Sequence, residues 1–522
     1  MELNLCAKDG YSSIFLIGKE IAQLNISKGY SIIVDDSFSA LLLGKICGLT
    51  ELSSLPPHYI CSNCKHSEFI SDNKYIFGYD LPNKKCPICN EELKKDGYRT
   101  TPPTIANSDG LEEPNLKISV VKEQMVETIE HLKNYITENL GVNHIVSSGN
   151  IEKVDAFSFF RNLSKDDIEK LGVENDINTK RELSGKKIGR ILSSDRISSY
   201  EEFLLIPKDM EIYDITPIEK TKNNYGLPIT HMDNYKHSNI LVSFLENGMV
   251  TLLKKLEDST YVYLEDIDLA DPLVLSLFSS TDALNMDTNI FNNNNGLLGI
   301  SYFANSSVNS SLIQFEKKIL SEVKINSFLD LIKAVAATYF AKDEDELINI
   351  IKSNDGDLSD IIILSEDIYW NLVDKGVDED IAYDTMLYLS AMQFGKGTYK
   401  NRLDDERKQT LKGYELSDEY INILDNFVSP MEIHKYAAEI INYIRLAWYK
   451  LYYPLEFYSE SFDYYYKFTN NYPVAENLSQ IRKQLEVDRE FIELQNENIK
   501  MIYELSLEMH ARGYQFDEMN RL

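Results

Sequence analysis

The 522-residue sequence predicts an α+β protein with a zinc-binding insert and a long helical C-terminal part. Two C-x-x-C pairs lie within residues 61–89 and predict the insert. Short segments rich in β-branched and aromatic residues, before residue 245, predict strands. After about residue 245 apolar residues recur at helical spacing almost without interruption, and this periodicity predicts helices. An early set of strands followed by a long set of helices is typical of an α+β fold.

The sequence predicts individual helices and strands from the start of the chain to its C-terminal part. IFLIGKEIAQLNISKGY predicts a helix and SIIV a strand. After the cysteine segment and the linker TTPPT, VVKEQMVETIEHLKNYITENL has helical spacing, and SKDDIEKLG predicts a second helix between Ser164 and Gly172. FLLIP and EIYDITPI, within 203–218, have strand character. The later helices are clearest in SFLDLIKAVAATYF, EDIAYDTMLYLSAM and MEIHKYAAEIINYIRLAWYKLYY.

Four cysteines have the spacing of a structural zinc site: Cys61, Cys64, Cys86 and Cys89. Each C-x-x-C pair places two thiolates on one tight turn, and two such turns complete a tetrahedral sulfur shell. The gap between the pairs is slightly longer than in most zinc ribbons, and a hairpin or loop can absorb the difference. A pair of disulfides and four unrelated core cysteines are the alternatives. The pattern favours zinc.

Composition limits the class of protein. Hydrophobic residues make up 43% of the chain and charged residues 26%, as in an ordinary globular protein. No window of eighteen apolar residues occurs, so we expect no membrane partner, and the first residues lack the pattern of a secretory signal. Cys6 and Cys47 fit buried small side chains in a reducing compartment. These features together predict a cytoplasmic protein.

The chain is also strongly acidic, with 53 basic and 83 acidic residues and a formal net charge of −30. Proteins that grip duplex DNA normally offer lysines and arginines to the phosphates. A field this negative repels DNA at long range, although a local basic groove is compatible with it. The charge therefore argues against a general nucleic-acid binder and favours a protein partner that docks on an acidic surface.

The residues around the cysteines carry a family resemblance. The segment 55–98 closely resembles the zinc-binding insert of the PolC-type DNA polymerase III α subunit of low-GC bacteria. The resemblance continues in the same order at DMEIYDITPIE, LFSSTDAL, FGKG and RLAWYKLYYPLEFY, and weakly at YELSLEMHARGYQF. It implies a nucleotidyltransferase-like polymerase palm with a zinc-ribbon insert, a helical thumb and large helical fingers. The implied segments are palm at 1–58, zinc module at 59–98, palm strand at 99–125, helical thumb at 126–195, palm again at 196–245, fingers at 246–470 and a C-terminal helical segment at 471–522.

Polymerase chemistry in the resembled family depends on palm aspartates that hold two divalent metal ions. By position, the D-x-D pair of that family falls on Asn115 and Lys117, and its third aspartate falls on Ser243. An amide, an ammonium and a hydroxyl cannot hold two Mg²⁺ ions, which prefer carboxylate oxygens. The resemblance therefore implies that the catalytic metal site is lost. We expect structural zinc and no magnesium.

Positions that meet nucleotide phosphates in the resembled family have changed as well. Asp35 and Asp36 stand in the loop that would cradle a triphosphate, where acidic side chains repel phosphate. Glu201 and Glu202 replace the glycines of a second loop. Lys396, between two glycines of the fingers, remains the candidate for a nucleotide or DNA contact.

Other clusters have plainer interpretations. The acidic run LEDIDLADP (264–272) resembles a helix-initiating turn. His231 and His237 flank Asp233 and make a metal triad conceivable, but the resembled family has a similar histidine-rich stretch, which favours a structural role. The tyrosine-rich segment 443–468 fits either a base-stacking platform or an amphipathic core helix, and its spacing favours the core. The closing segment 478–514 alternates charges in helical register and is predicted to be exposed.

Together these features predict a catalytically degenerate PolC-like protein that was kept for binding. It would act in replication as a binding or regulatory protein that docks on a replisome protein or on DNA. An active DNA polymerase, or another metal-dependent nucleotidyltransferase with displaced carboxylates, is one alternative. A non-catalytic binder of primer-template or single-stranded DNA is the other.

Overall fold

The computed structural model divides into two compact units. The first comprises Met1–Glu112, Ser119–Glu123 and Asn247–Leu522, and the second comprises Glu113–Ile118 and Gln124–Glu246. The structure describes residues 2–8, 12–34, 41–71, 74–101, 115–141, 144–148, 151–155, 187–191, 200–210, 212–215, 218, 222–223, 225–230, 240–300, 319–320, 322–338, 344–359, 361–390, 403–426, 433–467, 480–481 and 497–516.

Helices predominate in the described residues, and the strands precede residue 247, as the sequence predicts. The helices are α1 (Glu2–Lys8), α2 (Ser12–Ser27), α3 (Leu42–Cys47), α4 (Lys122–Asn139), α5 (Ile212–Ile215), α6 (Gly248–Thr260), α7 (Pro272–Ser276), α8 (Phe328–Thr338), α9 (Glu344–Ser353), α10 (Ser365–Asp374), α11 (Glu379–Ser390), α12 (Asp405–Gly413), α13 (Asp418–Asn426), α14 (His434–Tyr452), α15 (Pro454–Tyr466) and α16 (Glu497–Ala511). The strands are β1 (Ile33–Val34), β2 (His58–Ile60), β3 (Ser67–Phe69), β4 (Lys94–Asp96), β5 (Asn115–Val120), β6 (Ile145–Ser148), β7 (Ile151–Asp155), β8 (Lys187–Ile191), β9 (Tyr200–Leu205), β10 (Ile229–Thr230) and β11 (Ile240–Glu246).

The second unit is built on a mixed sheet. Its strands lie in the order β5-β11-β9-β6-β10, with β9 antiparallel to both β11 and β6 and with β6 parallel to β10. The strands β7 and β8 form a separate antiparallel pair. Helix α4 buries Met125, Ile129, Leu132 and Ile136, the three- and four-residue spacing of an amphipathic helix.

In the first unit the helices enclose one large apolar core. Helix α14 contacts α6, α7, α8 and α15, and α15 in turn contacts α6 and α16. Leu446 and Tyr449 of α14 are fully buried, so the prediction of an amphipathic core helix is confirmed. None of the helices within the described ranges is long and apolar enough to span a bilayer.

The prediction of a strand at EIYDITPI is wrong. The first three residues of FLLIP, Phe203–Leu205, belong to β9 as predicted, but Ile212–Ile215 form the short helix α5. The N–H of Met210 donates to the carbonyl oxygen of Pro207, 3.1 Å away, so the chain turns directly after β9. Ile212 is then buried in a cluster with Val146 and Leu204. A single helical turn thus buries the apolar side chain of Ile212 in a segment whose apolar residues had predicted a strand.

The expectation of a helical region over 126–195 is too simple for the residues that the structure describes. Helix α4 agrees with it, but β6, β7 and β8 lie in the same segment. The run IVSS, which forms β6, is β-branched at two successive positions and buried at three, which favours a strand. The predicted helix at 164–172 lies outside the described residues.

The prediction that the closing segment is exposed is wrong for α16. Ile499, Ile502, Leu505 and Met509 of this helix are all buried. They follow each other at intervals of three and four residues, so they form one face of the helix. The alternating charges of the neighbouring sequence obscured this face, and α16 is part of the core.

Candidate zinc centre and palm-like strands

The four cysteines lie on two turns of a small module built on three strands. Strand β2 pairs antiparallel with β3 and with β4, and Cys61 follows β2 directly. The N–H of Cys61 donates to the carbonyl oxygen of His66 at 2.8 Å. In the same way, the N–H of Cys86 donates to the carbonyl oxygen of Glu91 at 2.7 Å. The two C-x-x-C turns therefore have the same hydrogen-bond pattern.

Each turn contains one residue with a left-handed backbone, directly after its second cysteine. Lys65 has φ of 62° and Asn90 has φ of 64°. Their N–H groups donate to the carbonyl oxygens of Cys61 and Cys86, at 3.1 and 2.9 Å. Asparagine tolerates this conformation better than most residues, whereas lysine does not favour it. The sharp reversal is what directs both thiols of a pair to the same side.

The sulfur atoms of the two turns converge. All four Sγ atoms lie within 4.8 Å of one another, with 3.4 Å between Cys61 and Cys89 and 3.5 Å between Cys64 and Cys86. Zinc with Zn–S bonds of about 2.3 Å places tetrahedral sulfur ligands about 3.8 Å apart. A disulfide requires about 2.0 Å, and all four cysteines are free thiols. The disulfide alternative is therefore wrong in this structure, and the four cysteines form a cluster that could bind zinc.

The surroundings of Cys61 and Cys64 shift the pKa of the two thiols in opposite directions. The N–H of Cys64 lies 3.5 Å from the sulfur of Cys61 and lowers the pKa of Cys61 to about 7. The N–H of His66 acts in the same direction on Cys64, but burial and hydrogen bonds to the other three sulfurs raise the pKa of Cys64 to about 12. Four thiolates this close repel one another. A cation bound among the four sulfur atoms would relieve this repulsion.

The module is fastened to the helical core of the first unit. Phe77 packs edge-on against Phe328, with ring centroids 4.9 Å apart. The carboxylate of Asp80 accepts the N–H of Phe328 at 2.6 Å and that of Leu329 at 3.3 Å, at the start of α8. Gly97 has φ of 88°, and a Cβ there would lie 2.5 Å from two carbonyl oxygens. The zinc module thus contacts the helical core through Phe77 and Asp80, while the cysteines belong to a small apolar cluster of their own.

The second candidate region is the strand pair β5 and β11, which are neighbours in the mixed sheet. Asn115 and Lys117 lie in β5, and Ser243 lies in β11. Lys117 is exposed, whereas Ser243 is buried with 1% of its surface accessible. Asn115 and Lys117 therefore lie on the strand next to the one that carries Ser243.

One carboxylate lies beside Ser243. Glu202 of β9 is directly opposite Ser243 in the antiparallel pair, and the Ser243 hydroxyl donates to Glu202 Oε2 at 3.4 Å. Glu201 is opposite Phe244, so its side chain lies on the other face of the sheet. Among the residues that the structure describes, the four cysteines are the one group of three or more potential ligands close enough to share a metal ion.

The remaining predicted positions have separate outcomes. Several lie outside the described residues: Asp35, Asp36, His231, Asp233, His237 and Lys396. The acidic run at 264–272 forms a turn of 3-10 helix, Leu264–Asp266, and leads into α7. Asp271 accepts the N–H of Leu273 at 2.9 Å as the N-cap of that helix, so the predicted helix-initiating turn is confirmed.

Sequence reasoning missed the charged pairs that join distant elements of the first unit. Lys450 Nζ lies 2.7 Å from Glu508 Oε1, and both side chains are fully buried. Tyr458 also donates to Glu508, and burial followed by this carboxylate raises the pKa of Tyr458 well above its ordinary value. Arg445 contacts Glu51 through two hydrogen bonds, of 2.9 and 2.5 Å. The sequence offered one indication of these pairs: Arg445 and Lys450 lie in α14 between residues that are mostly apolar.

Comparison with known proteins agrees with the resemblance found in the sequence. No protein-family model matches the chain. The chain is 27% identical to the DNA polymerase III PolC-type of Thermotoga petrophila over 542 aligned residues, which cover 99% of this chain and 36% of that protein. The corresponding protein of Caldanaerobacter subterraneus is 26% identical over 548 residues, with the same two shares.

The protein of the same name from Lacticaseibacillus paracasei is 28% identical over 478 residues, or 88% of this chain and 31% of that protein. The chain thus spans about a third of the length of these curated relatives. Relatives of one name align with almost the whole sequence, across the zinc module, the mixed sheet and the helical core. The chain is a relative of the PolC-type DNA polymerase III proteins.

Proposed function

We propose that this chain is a catalytically degenerate PolC-like protein, and that it acts in replication by binding rather than by synthesis. In this proposal the mixed sheet of the second unit corresponds to the palm, the module at 59–98 to the zinc insert and the helices after residue 246 to the fingers. Zinc, held by the four cysteines, supports the scaffold. The partner is a replisome protein or DNA.

One observation carries the proposal. The positions expected to hold palm aspartates are Asn115, Lys117 and Ser243, and they lie on the neighbouring strands β5 and β11. The ammonium of Lys117 repels a divalent cation, and the buried hydroxyl of Ser243 offers no charge to it. A two-metal polymerase site needs several carboxylates in one place. The described residues of these strands do not offer that set.

Primer extension tests the proposal directly. The purified chain is mixed with a primed template, all four deoxynucleotides and Mg²⁺ or Mn²⁺, with an active PolC-type polymerase assayed in parallel. We expect no extended product from this chain, because its palm-like strands cannot hold two metal ions. Robust extension, enriched together with the chain through purification, would refute the proposal.

The same assay decides the second candidate, which is a polymerase with a displaced carboxylate. Glu202 favours this candidate because it lies beside Ser243, within hydrogen-bond distance. If extension occurs and Glu202→Ala abolishes it, the displaced-carboxylate enzyme is correct. If extension occurs and Glu202→Ala has no effect, the metal ligands lie elsewhere in the chain. A gel shift on primed DNA at low and moderate salt then separates a DNA binder from a protein binder.

A further inference from the structure

The exposed segment between α6 and α7 has an unusual combination of side chains. We call residues 261–273 the acidic strap. It contains four carboxylates and no lysine, arginine or histidine. Tyr261 and Tyr263 are 87% and 63% exposed, and Leu273 is 55% exposed. Exposed aromatic and apolar side chains that are rimmed by polar groups mark interaction surfaces.

The strap is held in place by one face of α14. Arg445 Nε donates to the carbonyl oxygen of Leu264 at 3.1 Å, and the Tyr449 hydroxyl donates to that of Val262 at 2.7 Å. The Tyr452 hydroxyl donates to Asp271 at 2.8 Å. Positions 445, 449 and 452 share one side of a helix. The strap is therefore a fixed surface whose backbone is positioned by the core.

In the part of the chain that the structure describes, neither the exposure nor the backbone conformation of Tyr261 accounts for a tyrosine at this position. It ends α6 with φ of 58°, a position where glycine is the usual residue. A tyrosine there strains the backbone, and its ring is left almost wholly in solvent. Neither conformation nor burial within the described chain favours a tyrosine. The ring is well placed to contact another molecule.

The charges identify the kind of molecule. Asp268 is paired with Lys95 at 3.6 Å and Asp271 caps α7, whereas Glu265 and Asp266 are exposed and have no ion-pair partner among the described residues. Carboxylates beside tyrosine rings attract a cation and repel phosphate. A guanidinium group suits both the carboxylates and the tyrosine rings, because it pairs with carboxylates and stacks on aromatic faces.

We infer that the acidic strap is a docking surface for an arginine-containing segment of a protein partner. This inference rests on the proposed binding role and names the chemistry of the partner. Arginines would stack on Tyr261 and Tyr263 and pair with Glu265 and Asp266. An apolar residue of the same segment would cover Leu273. Nucleic acid is the wrong partner for this surface.

The test uses the full chain and a short fluorescein-labelled peptide of alternating arginine and leucine. Fluorescence anisotropy measures the affinity of the chain for the peptide at low and at physiological ionic strength. The variant Tyr261→Gly/Tyr263→Ala removes both rings, and the glycine suits the left-handed position, so folding is preserved. We expect its affinity to fall by about tenfold, as two exposed cation–π contacts imply. The variant Glu265→Lys/Asp266→Lys should weaken binding by about tenfold or more, and most strongly at low salt.

Matched controls keep the result specific to the strap. Glu127→Lys/Glu130→Lys changes the net charge by the same amount on exposed positions of α4, and Tyr213→Ala/Tyr466→Ala removes two other exposed rings. Each control should change the affinity by less than about twofold. If the controls weaken binding as much as the strap variants do, or if the strap variants bind like the wild type, the inference is overturned. Binding of labelled primed DNA to the chain that the strap variants weaken would overturn it as well.

These outcomes are independent of the polymerase test. Primer extension by a chain whose strap binds the peptide would refute the proposed function and leave the docking surface intact. No extension, together with strap variants that bind normally, would leave the proposed function intact and reject the docking surface.

Discussion

The zinc module and the strand pair β5–β11 are two places where the PolC resemblance leads to an expectation of metal ligands, and they offer a metal ion very different surroundings. In the module, four sulfur atoms lie within 4.8 Å of one another on two turns of the same geometry. On the strands, the expected positions hold an amide, an ammonium and a hydroxyl. The ligand set is complete in one region and absent at the predicted positions of the other.

The difference lies in what the ligands do for the fold. Cys61 and Cys86 are buried in a small apolar cluster with Tyr59, Leu81 and Leu93, so the cysteines are part of the core that they organise. A module this small needs such a staple. The sheet around Ser243 has apolar packing of its own, because Val242 and Phe244 are fully buried on the same strand. Carboxylates can be lost from such a strand while the sheet remains folded.

The largest expected effect is on the zinc module. The variant Cys61→Ser/Cys86→Ser should lose the one equivalent of zinc that we expect in the wild type, and its free energy of unfolding should fall by several kcal/mol, since metal binding and folding are coupled. Metal analysis and thermal denaturation measure the two effects. Cys47→Ser is the control and should keep its zinc. A double variant with unchanged melting temperature would show that the cysteines do not staple the module.

A smaller effect is expected when carboxylates are placed on the strands β5 and β11. Asn115→Asp/Lys117→Asp/Ser243→Asp should be less stable than the wild type by about 2–4 kcal/mol without metal, because it buries a charge beside Glu202. Added Mn²⁺ should restore part of this loss, measured by thermal denaturation and by calorimetric titration. Ser243→Ala is the control without new charge. If Mn²⁺ stabilises the wild type equally, the contrast between the two regions is wrong.

The smallest effect concerns how the zinc module is fastened to the helices. Burial raises the pKa of Asp80 to about 6, although the N–H groups of Phe328 and Leu329 oppose this. A carboxyl group whose folded pKa is raised stabilises the fold when protonated, and this contribution is lost as pH rises from about 4 to 6. Asp80→Asn removes the titration.

The wild type should therefore lose about 1–3 kcal/mol relative to Asp80→Asn across that pH range, as measured by urea denaturation at several pH values. Asp355→Asn is the control, because it removes one carboxylate from an ion pair with Lys324 at the surface. A difference between the wild type and Asp80→Asn that grows in the opposite direction would mean that the two N–H groups outweigh burial.

Local spacing predicted much of this molecule. The cysteine pairs, α2, α4 and α14 follow from patterns that repeat within a few residues, because the side chains concerned meet within one turn or one helix face. Long-range contacts left no such pattern. Arg445 is hydrogen-bonded to Glu51, which lies 394 residues earlier in the chain, and neither segment has a sequence pattern that predicts this contact. The segment around Ile212 was predicted as a strand because a short apolar segment does not show whether its apolar residues recur at strand or at helix spacing.

The buried pair Lys450–Glu508 also sets an order of assembly during synthesis. Lys450 Nζ donates hydrogen bonds to the carbonyl oxygens of Gly296 and Leu298 and to the carboxylate of Glu508. Gly296 and Leu298 are synthesised before Lys450, whereas Glu508 is synthesised 58 residues later. At about 5–20 residues per second, the ribosome takes about 3–12 s to supply that carboxylate. Burying an ammonium without its counter-charge is costly. Helix α14 therefore completes its packing only after α16 has emerged, and a nascent chain halted between them presents Lys450 and the apolar face around it to the solvent.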